Sequence, residues 1–391
     1  MTRPPKATAT TDGAGPCLVP GLHNWLEVDL GAIRHNVSYL REVAGEHVQI
    51  IAVVKANAYG HGAVPVSRAA LDAGAGKLAV YCATEAAELR RAGIRAPILI
   101  MSPATREAAA AAAEMDLEIV VCDCQHARAL SSFAQAQQTE LKVHLKVDTG
   151  MCRCGVRMDE ALSCLQEVKQ APGLRLVGVC SHLAESEAAD LTFTREQLSR
   201  FQGFLEHAGD LIGPDVQRHI ANSAGLLRLP ESRLDACRVG LASYGLSDGD
   251  YEHDRDLCPA LSWKARLLQV RRARKGETVS YSRTHTVGED TLVGLVPVGY
   301  ADGYPRALSN RGEVLVRGCR APVLGTVCMD SFVVDVGQVL GVQVGDEVVL
   351  IGQQGDQRLG AEELARHAGT IVYEIVARLG SRPERIYLSM T

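Results

Sequence analysis

No apolar run in this 391-residue chain approaches the roughly 18–20 residues that a bilayer-spanning helix needs. An excess of one charge is also missing: 41 basic residues face 46 acidic ones, for a formal net charge of −5. That balance gives no electrostatic reason to expect nucleic acid or an anionic membrane as a partner. Internal repeats and low-complexity tracts are absent. The first 22 residues are rich in Pro, Gly and Thr and lack the apolar centre of a secretory signal. They are expected to form a disordered tail on a cytoplasmic protein. Cysteine is plentiful, at twelve, but zinc-ribbon spacing is not: Cys122/Cys124 and Cys152/Cys154 are C-x-C pairs with no second pair to match. Reduced thiols and no metal are expected, with Cys82, Cys180 and Cys237 acting as small hydrophobes in strand-like runs.

What the sequence does have is a rhythm. Short apolar runs fall at residues 49–54, 78–82, 97–101, 117–122, 143–147, 176–181, 219–221 and 237–241. Longer stretches with apolar positions near 3.6 spacing lie between them, among them 84–92, 105–114, 158–170 and 195–208. Strands alternating with helices imply βαβ units and a parallel sheet. Eight such units in about 200 residues predict a (β/α)8 TIM barrel over 23–258, whose site lies at the C-terminal ends of the strands; a doubly wound open sheet is the competing reading. After residue 258 the pattern becomes β-rich, with runs at 265–271, 291–298, 313–316, 322–327, 332–336 and 346–350. Only 361–368 reads as clearly helical there. A mainly β C-terminal domain over 259–391 is expected, and the early strand at 25–30 should join one domain or bridge both.

Polar residues gather where the apolar runs stop. Run one ends in Lys55-Ala-Asn57-Ala-Tyr59, run five continues to Lys146 and Arg153, and run six ends at His182. Run seven gives Asn222-Ser223, and run eight carries Arg238 and ends at Gly240-Leu241. A lysine after Ile-Ala-Val-Val is a solvent-seeking strand end or a desolvated amine; desolvation lowers its pKa, the condition for attack on a carbonyl. Five polar strand ends on one barrel face make a catalytic constellation the better account. Backbone N–H groups and a hydroxyl at the last two strands suit a phosphate. A reactive lysine with a phosphate cup describes a pyridoxal 5'-phosphate site, in which Lys55 is linked to the cofactor's aldehyde. Arg238 is the candidate partner of the cofactor's ring nitrogen. A guanidinium does not readily release a proton, so the ring would be a weak electron sink that favours simple proton return.

The run Ala-Val-Val-Lys55-Ala-Asn57-Ala-Tyr59-Gly-His-Gly resembles the cofactor-attachment signature of the alanine racemases, which are fold-type III pyridoxal-phosphate enzymes. The likeness continues through Lys146-Val-Asp-Thr-Gly-Met-Cys-Arg153, Asn222-Ser223-Ala-Gly, Arg238-Val-Gly240 and Gly-Glu-Thr-Val-Ser-Tyr281. In the β-rich part it includes Gly-Tyr300-Ala-Asp-Gly-Tyr304, Cys328-Met329-Asp330 and Tyr373-Glu. The resemblance implies an isomerase that interconverts L-alanine and D-alanine, a peptidoglycan precursor, by a two-base mechanism. Lys55 would be one acid/base group. Tyr281 would be the other, supplied by the second subunit of a head-to-tail homodimer. His182 and Arg238 would tune them, and Arg153 would grip Tyr281 and the substrate carboxylate. Met329 would complete the carboxylate site across the dimer. Lys146 matches a position carbamylated in many members. Tyr59, Asn222, Ser223, Gly240, Leu241 and Tyr373 would hold the cofactor, and Tyr300 and Tyr304 would narrow the entrance.

Two positions depart from the family's usual pattern: Cys154 stands where leucine is common, and Ser282 where glycine is. Broader-specificity racemases, acting on serine for example, carry a polar residue at the Cys154 position. A fold-type III decarboxylase would place a carboxylate on the ring nitrogen and carry Gly-rich phosphate loops, neither of which is found. A non-catalytic pyridoxal-phosphate carrier would lack the β domain and a residue like Tyr281.

Overall fold

A computed structural model describes residues 23–248 and 256–388, so the expected tail at 1–22 lies outside the described residues. The chain divides into two units. One comprises Asp29–Ala260 with Ile371–Ala377; the other comprises residues 23–28, Leu261–Thr370 and Arg378–Leu388. The boundaries expected at 23–258 and 259–391 are therefore corrected at two places. Asn24–Asp29 pairs antiparallel with Leu261–Arg266, which puts the early strand in the β unit. The short helix Val372–Ala377 belongs to the barrel unit.

The barrel strands, in chain order, are Gln49–Val53, Lys77–Val80, Ile98–Pro103, Glu118–Val121, Leu141–Asp148, Leu174–Cys180, Gln217–His219 and Ala236–Val239. Neighbours pair in parallel, and strand eight returns to strand one with Arg238 opposite Ile51. Between strands seven and eight the backbone closes through Asp235 N to Arg218 O (3.1 Å) and Arg238 N to Ala221 O (3.0 Å). Near-continuous apolar runs such as Ile50-Ile51-Ala52-Val53 suit strands buried on both faces, with side chains inside and helices outside. The eight expected runs correspond to these eight strands to within a few residues.

The β unit is a ten-stranded sheet whose mixed aromatic core stacks Tyr304 on Phe332 at 4.6 Å and edge-on against Trp263 at 6.0 Å. The expected single run at 265–271 is two strands, Leu261–Arg266 and Gln269–Ala273. Leu267 and Leu268 divide them because the chain changes partner there, from Glu347–Gln354 to Thr291–Val296. The eleven cysteines among the described residues are free thiols. Cys180 and Cys237 are buried as expected, and Cys82 is half-buried.

Candidate active site

Strand one stops at Val53, and the chain then winds in the left-handed sense. Ala56, Asn57, Ala58 and Tyr59 have φ of 51°, 54°, 52° and 50°. An L-residue held there costs about 1–2 kcal/mol, so such a turn persists only where its surroundings over-determine it. Glu85 Oε1 accepts from Ala56 N at 2.7 Å, and Asn57 Oδ1 accepts from Ala63 N at 2.8 Å. Ala58 N and Gly60 N donate to Val54 O and Ala56 O. The turn presents Lys55, whose pKa is pushed below the ordinary lysine value by burial and by the nearby Arg153 charge. Glu85 opposes this shift and Lys146 adds to it.

Arg238 is buried on strand eight. Its Nη1 donates to His219 Nδ1, and its Nη2 donates to Ser181 O (2.7 Å), Ile220 O (3.0 Å) and His182 Nδ1 (3.1 Å). The guanidinium bonds only through Nη1 and Nη2 among the described residues, which leaves Nε–H without a partner there. Burial, reinforced by the Arg238 charge, holds His182 far below the ordinary histidine value. His182 is therefore a neutral ring protonated at Nε2.

An anion cup lies beside this cluster. Ser223 Oγ accepts from Gly240 N at 2.9 Å and from Ala242 N at 3.3 Å. Gly240 admits Tyr59: a Cβ there would lie 2.7 Å from the phenol oxygen. Burial pushes the Tyr59 phenol upward, so it stays a proton donor, and its ring stacks on Tyr244 at 5.0 Å and leans on Tyr373 at 5.8 Å. Ser223, Leu241, Ala242 and Tyr373 line an open pocket. Asn222 is not in that lining. Its Oδ1 accepts from Gly225 N and Ser186, and its amide donates to Glu187, so it shapes the cup from behind.

Arg153 is exposed on the loop after strand five. Asp148 Oδ1 fastens that loop by accepting from Gly150 N (2.9 Å) and Cys152 N (3.1 Å). Lys146 Nζ donates to Cys154 Sγ at 3.0 Å.

In the β unit, Tyr281 sits on a short turn with Ser280, Ser282 and Arg283 all at positive φ (64°, 61° and 50°). Thr326 pins it: Thr326 Oγ1 donates to Tyr281 O at 3.0 Å, and Ser280 Oγ donates to Thr326 O at 2.6 Å. Tyr281 is 72% exposed, Met329 52% and Tyr300 45%. The Tyr300 and Met329 loops are joined by Tyr300 N to Cys328 O and Ala301 N to Met329 O. Beneath them Arg382 bridges buried Asp302 and exposed Asp330. Tyr304 is fully buried in the aromatic core, so its expected place at an entrance is wrong. Stacking on Phe332 absorbs it.

The family model for the alanine racemase N-terminal domain matches residues 28–248, and that for the C-terminal domain matches 260–387. The chain belongs to the alanine racemase family. It is 43% identical over 368 residues to an alanine racemase from Desulforamulus reducens, covering 93% of this chain and 98% of that one. An alanine racemase from Symbiobacterium thermophilum is also 43% identical, over 93% and 96% of the two chains. The crystal structure of alanine racemase from D-cycloserine-producing Streptomyces lavendulae superposes with a TM-score of 0.89 at 37% identity, over 95% and 99% of the chains.

Within the barrel unit the fold thus gathers Lys55, Tyr59, Lys146, Arg153, His182, Ser223, Arg238, Gly240 and Leu241 toward the strand ends, with Tyr373 added from the helix Val372–Ala377. Tyr281, Met329 and Tyr300 stand exposed on the β unit. Sequence reasoning passed over Glu85, which ties the Lys55 turn, and buried Glu118, and it met His144 and His219 at the ends of runs five and seven without giving them a role. One signal was available: His144, Lys146 and Asp148 alternate along strand five, and period two puts them on one face.

Proposed function

We propose that this chain interconverts L-alanine and D-alanine with pyridoxal 5'-phosphate as cofactor, in the cytoplasm and as a head-to-tail homodimer. The observation that carries the reading is a lysine amine depressed by burial beside Arg153, in the same unit as a partnerless Arg238 Nε–H and the Ser223–Gly240–Ala242 cup. Those groups fit the cofactor. Ser223, Tyr59 and the backbone N–H groups would hold its phosphate, Arg238 Nε its ring nitrogen, and Lys55 its aldehyde carbon. When bound, it supplies an electron sink for the pair left at the α-carbon once the proton departs.

Inversion needs two groups, because a proton leaves one face of the α-carbon and another arrives on the opposite face. Lys55 Nζ serves one face; its pKa, lowered by burial and the Arg153 charge, raises the share of neutral, proton-accepting amine. Tyr281 of the partner subunit serves the other. Its exposure, with that of Met329 and Tyr300, supports a role for this surface at a subunit interface. Arg153 binds the substrate carboxylate, Met329 N–H completes that grip, and Lys146 is the position for a carbamate whose negative charge would steady Arg153. Arg238 would offer the ring nitrogen a permanently charged donor, which favours simple proton return over side reactions.

Cys154 favours a second reading in which serine is also accepted, since its sulfur takes a hydrogen bond from Lys146 and adds polarity to the loop bearing Arg153. Racemisation of L-alanine and L-serine by the cofactor-loaded protein, followed by chiral chromatography, separates the two. Fast alanine and slow serine turnover is expected, because a small pocket discriminates by about 10–200-fold per methylene-sized group. Equal rates would move the chain to the broader class, and no turnover of either would end the racemase reading.

A further inference from the structure

A line of buried polar groups crosses the barrel interior from strand two to strand eight, and the chemistry described above uses only its last member. Lys77 Nζ meets Glu118 Oε2 at 2.5 Å, and Glu118 Oε2 meets His144 Nε2 at 2.7 Å. His144 Nδ1 meets His219 Nε2 at 3.0 Å, and His219 Nδ1 meets Arg238 Nη1 at 2.5 Å. Both histidines are fully buried, and Lys77, Glu118 and Arg238 are at most 8% exposed. Strand six lies between the two rings. It carries Gly178 opposite His144, where a Cβ would fall 2.0 Å from His144 Nδ1. Only glycine leaves room for the His144 ring to reach His219.

Proton placement along this line is forced from both ends. Glu118 is ion-paired with Lys77, so it is ionised and can only accept. His144 must then carry a proton on Nε2. At the other end Arg238 can only donate, so His219 Nδ1 must be a bare acceptor and its proton must sit on Nε2. That proton points at His144 Nδ1, which must be bare in turn. A proton on Nδ1 of either ring would set two donors against each other. Burial, which lowers both rings below the ordinary histidine value, agrees with two neutral imidazoles.

We propose that Glu118, His144 and His219 are positioning residues for the reaction: a relay of two neutral histidines in a fixed tautomer, anchored on the Lys77–Glu118 pair, that locks the Arg238 guanidinium in place. With Nη1 committed to His219 and Nη2 to His182 and strand carbonyls, Nε–H alone remains for the cofactor's ring nitrogen, at a fixed angle. The proposal rests on the racemase reading given above. The relay moves no proton in the reaction; it sets which Arg238 donor faces the cofactor and keeps a neutral acceptor behind it.

The test uses ¹⁵N-histidine-labelled, cofactor-loaded protein, with the two rings assigned through His144→Asn and His219→Asn. The ¹⁵N shifts near pH 7.5 should report both rings neutral and protonated at Nε2. Lys77→Met/Glu118→Leu removes the ion pair as a unit, which avoids a stranded buried charge. Gly178→Ala reaches the same relay by displacing the His144 ring without touching any charge. Each variant takes one partner from His144, its Nε2 acceptor in the first and its contact with His219 in the second, so the His144 ¹⁵N shifts should move while kcat falls on the order of 10–100-fold with KM within about twofold. A cationic ring or an Nδ1–H ring in the wild type would overturn the relay. So would variants that keep the wild-type kcat once the His144 shifts have moved. Failure of the broader reading shows separately, as a wild type that does not racemise alanine at all.

Discussion

The turn that carries Lys55 and the turn that carries Tyr281 are both wound through positive φ without glycine at the reactive residue, yet they stand in opposite surroundings. Around Lys55 the barrel unit supplies everything: burial, the Arg153 charge, and side-chain clamps from Glu85 and Asn57. Around Tyr281 the β unit supplies only the backbone clamp of Thr326, and 72% of the residue is exposed. Strain alone therefore does not mark a finished catalytic environment. One turn is buried and clamped within its own unit, and the other presents an exposed phenol, which supports the proposed contribution of a partner subunit.

The largest effect should come from the finished side. Lys55→Ala should lower racemisation by at least ~10³-fold and remove the cofactor's lysine-linked visible absorbance band; a retained band would refute the assignment. Tyr281→Phe should cost ~10²–10⁴-fold while leaving that band in place. It should also make the primary deuterium isotope effects differ between the L-to-D and D-to-L directions. Equal isotope effects would argue that the phenol serves neither face.

Acid should separate the two regions further. His144, His182 and His219 are held neutral below the ordinary value of 6.5 by burial, and all lie in the barrel unit. Glu118 is held below the carboxylate range, because its bonds to His144 and Lys77 outweigh the opposing effect of burial. In each case the unfolded chain binds more protons, so stability is full above about pH 6.5 and declines as pH falls below it, first through the histidines and then through Glu118. Urea midpoints followed between pH 8 and pH 5 should drop accordingly; a flat profile would contradict the neutral histidines. The smallest effects test the strain itself. Ser282→Gly relieves a residue at φ 61° and should stabilise by up to about 1 kcal/mol. Ala56→Gly should give a similar gain in stability but loosen the Lys55 turn, so its kcat should fall while that of Ser282→Gly does not.

Much of this was legible in the sequence. All eight barrel strands were found from the alternation of short apolar runs with helical stretches, and the five runs that lead into lysine, histidine, asparagine or arginine announced the functional face. The fifth-to-sixth and seventh-to-eighth neighbourhoods could be guessed only as a face. The His144–His219 contact spans 75 residues and depends on the missing side chain of Gly178, which no local pattern reveals. The left-handed turn was hidden for a similar reason: Ala56-Asn57-Ala58-Tyr59 contains no glycine to advertise positive φ. Tyr304 was misplaced because a Gly-Tyr-Ala-Asp-Gly-Tyr motif does not say which tyrosine the aromatic core will take.

The most direct test of the shared site is complementation. Lys55→Ala and Tyr281→Phe chains, each inactive alone, would be co-expressed and the mixed dimers assayed for alanine racemisation. If each site joins Lys55 of one subunit to Tyr281 of the other, every mixed dimer holds one intact site, and random pairing should restore about a quarter of wild-type activity. No recovery in verified mixed dimers would mean that both groups act from one chain, and the two-subunit account would be wrong.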